Sequence, residues 1–491
     1  MTVLQDVTEE TLAEIAKAQT TGLLESTGAY SYDLTGIVRL IPVVTPFRDK
    51  VARKSSPNGS PFAIWRAFMD STASQSTPFA GYDYAGKPMI NTEQDFQAPY
   101  VPLARSGQVT QDAFDVARGL FDPYAEQTMQ TLNDFLIAED RALIGGQSYN
   151  LVQPGTITAT PSTTGGTLAA LTTYRVSVAA RTAMGYYYGG NSRGKASTDQ
   201  TTTGSTGSIA CSIAAVKGAV AYDWFISSNS GGTSFYYATT TTASVTITAA
   251  TGSNQPLSAL PDLYSVIPTL NLAADNGSGV ASGQGQQFNG FLSSLTGDYN
   301  TAGQFVQTGS ATANPAVFTD GGAAALALSG GSVTQIKALF LAIWNKVKCS
   351  PTALMMNAAQ AQEIADLILA QPSAVTYLNT DEAGRVDTVA GGRVGHVVNT
   401  PAGGITVPIE VHTSLPPGTI IARTDRVPFP QANISSVLEC RTLRDVTQFD
   451  YGTSRVADTL GGGPRKDFEI RSFEAFINRA PVAMGVLTNI A

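Results

Sequence analysis

The chain has 491 residues, 43% of them apolar and only 14% charged, and its 38 acidic side chains outnumber 30 basic ones for a formal net charge of −8. The length predicts roughly two to four domains. An acidic balance without a clear basic patch excludes a protein that wraps nucleic acid through its phosphates, and leaves only weak, local contact with DNA.

In chain order, MTVLQDVTEETLAEIAKAQ opens with a short amphipathic helix, Glu9 to Lys17, and lacks the basic head and apolar block of a signal peptide. Turn formers punctuate residues 51–110, as in SSPNGSPF and AGYDYAGKPM, and predict a long hairpin or loop. In FDPYAEQTMQTLNDFLIAEDRALIGG, Asp122 can cap a helix with Pro123 at its first position. Ala125, Met129, Leu132, Leu136 and Leu143 follow helical spacing, and Gly145 and Gly146 supply the stop.

From 151 the composition changes. Residues 151–260 carry seven charges: Arg175, Arg181, Arg193, Lys195, Asp199, Lys217 and Asp223. The runs TYRVSVAA, SIACSIAAV, AYDWFISS, SFYYATT and ASVTITA are separated by Gly and Ser turns, the signature of a small antiparallel sandwich. FYYATTTTASVTITAATG, 235–252, reads as its last hairpin. NGSGVASGQGQQ leads out.

Helical signals then return. Ser332 with Gln335 predicts a capping box ahead of Ile336, Phe340, Trp344 and Val347, with Pro351 after the helix. ALMM predicts a short strand, and Asn357 with Gln360 caps a second helix. Residues 390–425 read as a hairpin of GHVVNTP, ITVPIEVHT, the turn LPPG and TIIART. DFEIRSFEAFINRAPVAMGVLTNI reads as a terminal strand pair with a proline break. Helix caps and apolar stripes of equal quality on both sides of the charge-poor stretch predict one α+β domain split by an all-β insertion.

Chemistry is scarce. Cys211, Cys349 and Cys440 lie far apart and predict no disulfide framework, in keeping with a reducing compartment. His396 and His412 sit in apolar strand contexts without a second ligand at metal spacing, and read as structural. Gly190-Asn191-Ser192-Arg193-Gly194 matches the nucleophile-elbow form, but the tail after it cannot build the helix an elbow needs. GGGPRK, 461–466, reads as a flexible loop and not a phosphate cradle. Tyr186, Tyr187, Tyr188, Tyr236 and Tyr237 could stack on sugars or simply pack the sandwich. Asp381 and Glu382, the nearest acidic pair, lie in a polar loop. The reading assigns no catalytic residue, no metal ligand and no cofactor-binding residue. It predicts a non-enzyme with no cofactor and, with no apolar run near the ~18 residues of a membrane span, no membrane partner.

The order of arm, loop, helix ending IAEDRALIGG, FNGFL, TALMMNAAQAQEIADL, PIEVHTSLPPGTII and FEIRSFEAFINRAPVAMGVL resembles the major capsid protein of tailed double-stranded DNA bacteriophages, the Hong Kong 97 type fold. The resemblance covers residues 1–150 and 286–491, about three quarters of the chain. The insertion is similar to immunoglobulin-like or fibronectin type III modules. The resemblance implies an N-terminal arm (1–50), an extended loop over a neighbour (51–110), and a spine helix of a peripheral domain (111–150). After the inserted sandwich (151–285) it implies the rest of the peripheral domain (286–370), an axial domain (371–465) and terminal strands returning to the periphery (466–491). It implies a structural protein that self-assembles as hexamers and pentamers into the icosahedral shell of a virion, in a bacterial host cytoplasm. Portal and scaffold proteins, cement or decoration proteins, and weakly held packaged double-stranded DNA are the implied partners.

Some relatives crosslink a loop Lys to an Asn on a neighbour's terminal strand. Lys87 lies in the right loop, but Lys466 to Ser472 holds no Asn, so no covalent mesh is expected. Only about 50 residues precede the loop, so no large cleaved segment is expected. The insertion is expected to face outward as decoration or stabiliser. The rival readings are a carbohydrate-binding adhesin or tail protein, and a polysaccharide-active enzyme with an accessory β domain.

Overall fold

The computed structural model describes residues 44–56, 60–71, 79, 82–85, 91–117, 122–149, 151–188, 195–204, 207–228, 234–250, 288–306, 312–329, 332–369, 379–380, 386–387, 394–426, 436–454 and 465–491. The predicted helix at Glu9 to Lys17 lies outside them. The chain divides into two compact units. One comprises Met1–Val44, Leu103–Ala138 and Val446–Ser472; the other comprises Thr45–Pro102, Glu139–Asp445 and Phe473–Ala491.

The larger unit begins with β1 (Ala52–Ser55), parallel to residues 439–442. β2 (Phe62–Ser71) and β3 (Asn91–Pro99) then form an antiparallel hairpin, from Phe62↔Pro99 to Ser71↔Asn91, with an irregularity between Phe68 and Asp70. This is the long hairpin that the turn formers predict. Strand alternation gives it two unlike faces. Ala63, Trp65, Ala67, Met69, Phe96 and Ala98 pack with Tyr299, Ala475 and Ile477, and Trp65 Nε1 donates to the Asn478 carbonyl at 2.9 Å. Phe62 and Ile64 point the other way and are exposed.

The smaller unit takes most of β4 (Val101–Thr110), α1 (Gln111–Val116) and the first two thirds of α2 (Pro123–Gly145). Asp122 caps α2 as expected: its Oδ1 accepts the Tyr124 N–H at 2.9 Å. At ~1.5 Å per residue α2 is about 34 Å long. Its buried stripe differs from the sequence reading. Phe135, with Leu132 and Leu136, packs on Phe468 and Ile470, whereas Met129 is exposed. Apolar spacing marks a helix face without saying where along it the neighbours stop.

In the insertion, β5 (Thr158–Ser162), β6 (Thr173–Arg181), α3 (Ala183–Tyr188), β7 (Lys195–Thr201), β8 (Ser208–Ser212), β9 (Ala221–Ser227), β10 (Phe235–Thr240) and β11 (Ser244–Ile247) build two sheets, ordered β10-β9-β6-β7 and β11-β8-β5. Trp224, Val176, Val178 and Ile226 of the first meet Ile209, Cys211 and Ile247 of the second in one apolar cluster. The architecture is therefore α+β with an embedded β-sandwich. The 235–252 stretch is not a hairpin. β10 pairs with β9, β11 pairs with β8, and residues 241–243 carry the chain between the sheets. Crossing supplies a partner to an edge of each sheet, which a hairpin would not do. α3 was not anticipated; Thr182 Oγ1 caps it by accepting the Gly185 N–H at 3.0 Å.

The sandwich leaves and rejoins its host at one place. Gly290 N–H donates to the Gly146 carbonyl at 2.8 Å, and Asn289 Oδ1 accepts the Ser148 N–H at 3.0 Å. A Cβ on Gly146 would lie 2.5 Å from the Phe288 carbonyl oxygen, so only glycine lets the two segments approach.

The rest of the larger unit holds α4 (Phe291–Thr296), the short pair β12 (Asp298–Tyr299) and β13 (Phe305–Val306), β14 (Val317–Ala324), the pair β15 (Leu328–Ser329) and β16 (Ser332–Val333), and α5 (Thr334–Val347). β17 (Ala353–Met356), α6 (Ala358–Leu369), the pair β18 (Asn379–Thr380) and β19 (Val386–Asp387), β20 (His396–Asn399), β21 (Ile405–Val411) and β22 (Ile420–Arg423) follow. β23 (Leu438–Ser454) and β24 (Arg465–Asn478) each run through both units, and in the smaller one they lie in the order β23-β24-β4. β25 (Gly485–Ile490) ends the chain in a six-stranded sheet ordered β14-β25-β22-β17-β21-β20. α5 buries Ile336, Leu339, Phe340 and Ile343.

Three sequence readings are corrected here. No capping box forms at α5, because Gln335 instead accepts the Ala327 N–H and donates to the Ala325 carbonyl. β21 and β22 are not hairpin partners: β17, with all four residues buried, inserts between them. β24 and β25 do not pair either. After the Pro481–Ala483 turn, β25 joins β14 and β22 in the other sheet. The Asn357 cap does form, its Oδ1 accepting the Ala359 N–H at 3.1 Å.

Candidate assembly surface and the anchored arm

The segment just before β1 is fixed by charge. Thr45 to Val51 forms a turn in which the Asp49 N–H donates to Thr45 and the Val51 N–H to Phe47. The Phe47 ring is fully buried, stacked on Phe291 at 5.3 Å and tilted against Phe476. The backbone N–H groups of Phe47 and Arg48 donate to Asp140 Oδ1 at 3.1 and 2.9 Å, and Ser414 Oγ donates to Asp140 Oδ2 at 2.5 Å. Arg48 Nε donates to Glu139 at 2.7 Å. Arg53 donates to Glu139 with one terminal nitrogen and to Glu474 with the other, at 2.7 Å in the second case. Both carboxylates have no exposed side-chain surface, so Arg53, with Arg48 beside Glu139, takes the place of water as their charged partner.

The electrostatics follow. Burial would lower the Arg53 pKa, but Glu474 and Glu139 outweigh it and hold the guanidinium above its usual value. Burial pushes the Asp140 carboxyl up, against the Ser414 and backbone hydrogen bonds that stabilise its charge. Burial acts the same way on Glu410, yet His412, Lys50 and Arg423 bring it down to about 2. Lys50 Nζ is 2.6 Å from Glu410, Arg423 donates to it at 2.9 Å, and His412 Nε2 stands 3.5 Å away. That last distance makes the histidine an electrostatic neighbour and not a hydrogen-bond donor. Burial also drives the Cys440 thiol far up beside Glu474.

Apolar surface is exposed on two stretches of the same unit. Phe62 and Ile64 on β2, with Phe79, Tyr82 and Tyr84 beyond it, stand in solvent, Ile64 at 59% and Phe79 at 87% exposure. Val398, Ile405 and Val411 are exposed on β20 and β21.

The residues singled out from the sequence fall elsewhere. His412 is buried beside the arm, T-shaped to Phe47, and His396 is exposed on β20. Residues 190–194 lie outside the described residues, but a helix precedes them and a strand follows, the reverse of an elbow. Lys87, Asp381, Glu382 and residues 461–464 also lie outside. Tyr187 lies under the Arg141 guanidinium at 4.7 Å and donates to the Thr413 carbonyl; Tyr236 and Tyr237 hydrogen-bond to Thr239 and Thr248. These three rings pack and bond within the chain. Among the described residues no group of three or more His, Cys, Asp or Glu could hold a metal, and no helix is long and apolar enough to cross a membrane. The three cysteines are unpaired and buried. The anchor escaped sequence reading because Arg53, Glu139 and Glu474 are scattered along the chain. The one cue was Glu139 and Asp140 interrupting the apolar run of α2.

No protein-family model matches the sequence, and no curated protein does. Among solved structures the chain is similar to the capsid of a native GTA particle, at 10% identity over 94% of each chain with a TM-score of 0.41. It is also similar to the SrpI encapsulin complex from Synechococcus elongatus, at 9% identity over 97% of this chain and 95% of that one, with a TM-score of 0.37. A third likeness is the capsid of cyanophage P-SCSP1u, at 9% identity over 93% and 92% of the two chains, with a TM-score of 0.35.

Proposed function

We propose that this chain is a structural shell subunit of the tailed-phage major capsid type. It assembles with its own copies as hexamers and pentamers into a closed icosahedral shell around double-stranded DNA, inside a bacterial host cytoplasm, with portal and scaffold proteins as assembly partners. The observation that carries this reading is the β2–β3 hairpin. Its inner face is packed against its own unit, while Phe62 and Ile64 on the outer face are exposed among the described residues. Large apolar side chains exposed on an extended hairpin suit a protein interface. The resemblance in segment order, from arm to terminal strands, says that the covering partner is the same chain. The net charge of −8 suits a wall that does not grip the genome it holds.

Electron microscopy of the purified full-length protein tests this. Closed shells with five- and six-fold capsomers are expected, and Ile64→Asp should stop assembly while leaving the chain folded. A wild-type chain that stays monomeric at high concentration overturns the proposal. We further propose that the shell is held without covalent crosslinks. The asparagine of β24, Asn478, is buried, with its Nδ2 on Ser294 Oγ at 3.3 Å and its Oδ1 accepting the Ala480 N–H, and so is not offered to a neighbour's lysine. A ladder of multimers on a denaturing gel of particles overturns that.

A further inference from the structure

The C-terminal strand ends on the inserted sandwich. Asn489, next to last in β25, is buried and has a positive φ of 61°, the left-handed region that Asn tolerates better than most side chains. Its Oδ1 accepts the Ala243 N–H at 2.7 Å, on the link between β10 and β11. Its Nδ2 donates to Asp320 Oδ1 at 2.6 Å, where β14 breaks register with β25. Asp320 Oδ1 also accepts the Gly322 N–H at 2.8 Å. One amide thus joins three segments: an edge strand of the six-stranded sheet, its terminal strand, and the crossover of the guest domain. Asn is suited to the place because it combines one acceptor, two donors and a tolerance for left-handed backbone. Asp could not donate to Asp320, and Gly could not bond at all.

The surroundings are built to the same end. Thr241 Oγ1 donates to the Ile490 carbonyl at 3.4 Å. Gly418, at φ 78°, lies beneath the crossover, where a Cβ would come within 2.9 Å of Thr241 Cβ. Elsewhere Tyr187 donates to the Thr413 carbonyl, and Lys217 reaches the buried Asp298 at 3.4 Å. The sandwich therefore touches its host at the chain junction, near β21, at β12 and at the end of β25.

We propose that the inserted sandwich is an internal brace of its host: through Asn489 it locks the end of β25 against β14, so that the six-stranded sheet depends on the guest domain for its closure. This goes beyond shell formation and is independent of it, since the brace acts within one chain. An ornament that could be removed without consequence would need only the junction at Gly146 and Gly290.

Hydrogen exchange by mass spectrometry on the full chain tests the brace with two variants. Asn489→Gly keeps the backbone conformation accessible and removes both side-chain bonds. It is expected to raise exchange in 241–247 and in 485–491 together, by about tenfold, on the order of the two net hydrogen bonds removed. Asn489→Asp keeps the acceptor for Ala243 and loses the donor to Asp320, so faster exchange at 320–324 with wild-type protection at 241–247 is expected. If Asn489→Gly leaves 241–247 at the wild-type rate, or Asn489→Asp opens 241–247 as much as Asn489→Gly does, the brace is refuted. Circular dichroism of both variants confirms that the chain remains folded during the measurement.

Discussion

The inserted sandwich and the arm anchor belong to the same compact unit and are held by opposite chemistry. The sandwich closes on an apolar cluster around Trp224 and Ile209, and its buried ion pair, Arg181 with Asp223, lies on one strand neighbourhood of that cluster. The anchor has a small aromatic contact, Phe47 on Phe291, and surrounds it with Arg48, Arg53, Lys50, Glu139, Asp140, Glu410 and Glu474. An apolar cluster is bought with area and depends little on pH or salt. A buried ionic cluster adds less net stability, because desolvation offsets attraction, but it is intolerant of losing any single member. A chain can thus fold a domain that stands on its own core and still fix an arm in one geometry.

Four measurements break or sharpen this contrast. Trp224→Ala should cost about 4 kcal/mol in chemical denaturation by opening a cavity in the sandwich, with the same value at low and high salt. Arg53→Met should cost about 3 kcal/mol by leaving Glu474 buried without its cation, and hydrogen exchange should place that loss at 45–55 and not in the sandwich. Equal losses at both sites would erase the distinction.

Acid should loosen the anchor first. Glu410 is depressed from its ordinary 4.5 to about 2 in the folded chain, so its contribution is present above 4.5 and is lost as pH falls from about 4.5 toward 2. With part of that carboxylate exposed to screening, the loss is on the order of 2 kcal/mol. Asp140 runs the other way: its raised pKa means that protonation relieves a buried charge, so stability rises as pH falls through its folded value. Amide exchange at 45–51, corrected for intrinsic rate, should therefore accelerate below pH 4.5 while 221–227 stays protected. The smallest effect is expected in the other unit. Asp122→Ala removes the cap of α2 and should lower stability by about 1 kcal/mol, with no change at the anchor or the sandwich.

How far the sequence reached depended on the range of the interaction. Asp122 before Pro123, Asn357 before its helix, the strand-forming run AYDWFISS and the loss of charge after 151 are signals written within a few residues, and each led to an element that is present. The capping box at Ser332 failed for a non-local reason, since the 325–327 segment claimed Gln335. The arm anchor was illegible because no spacing rule links Arg53 to Glu139 and Glu474.

The sequence by itself determined that helices follow Asp122 and Asn357 and are capped by them, that a helix carries Ile336 and Phe340, and that a charge-poor β domain interrupts an α+β host. These follow from backbone preferences and periodicity, which act over one or two turns. Only the tertiary structure decided which strands are partners. It sent β10 and β11 to different sheets, set β17 between β21 and β22, parted β24 from β25, and put Asn489 under the sandwich. A strand's edges bond to whatever backbone lies beside them, and that choice is made by burial across the whole chain.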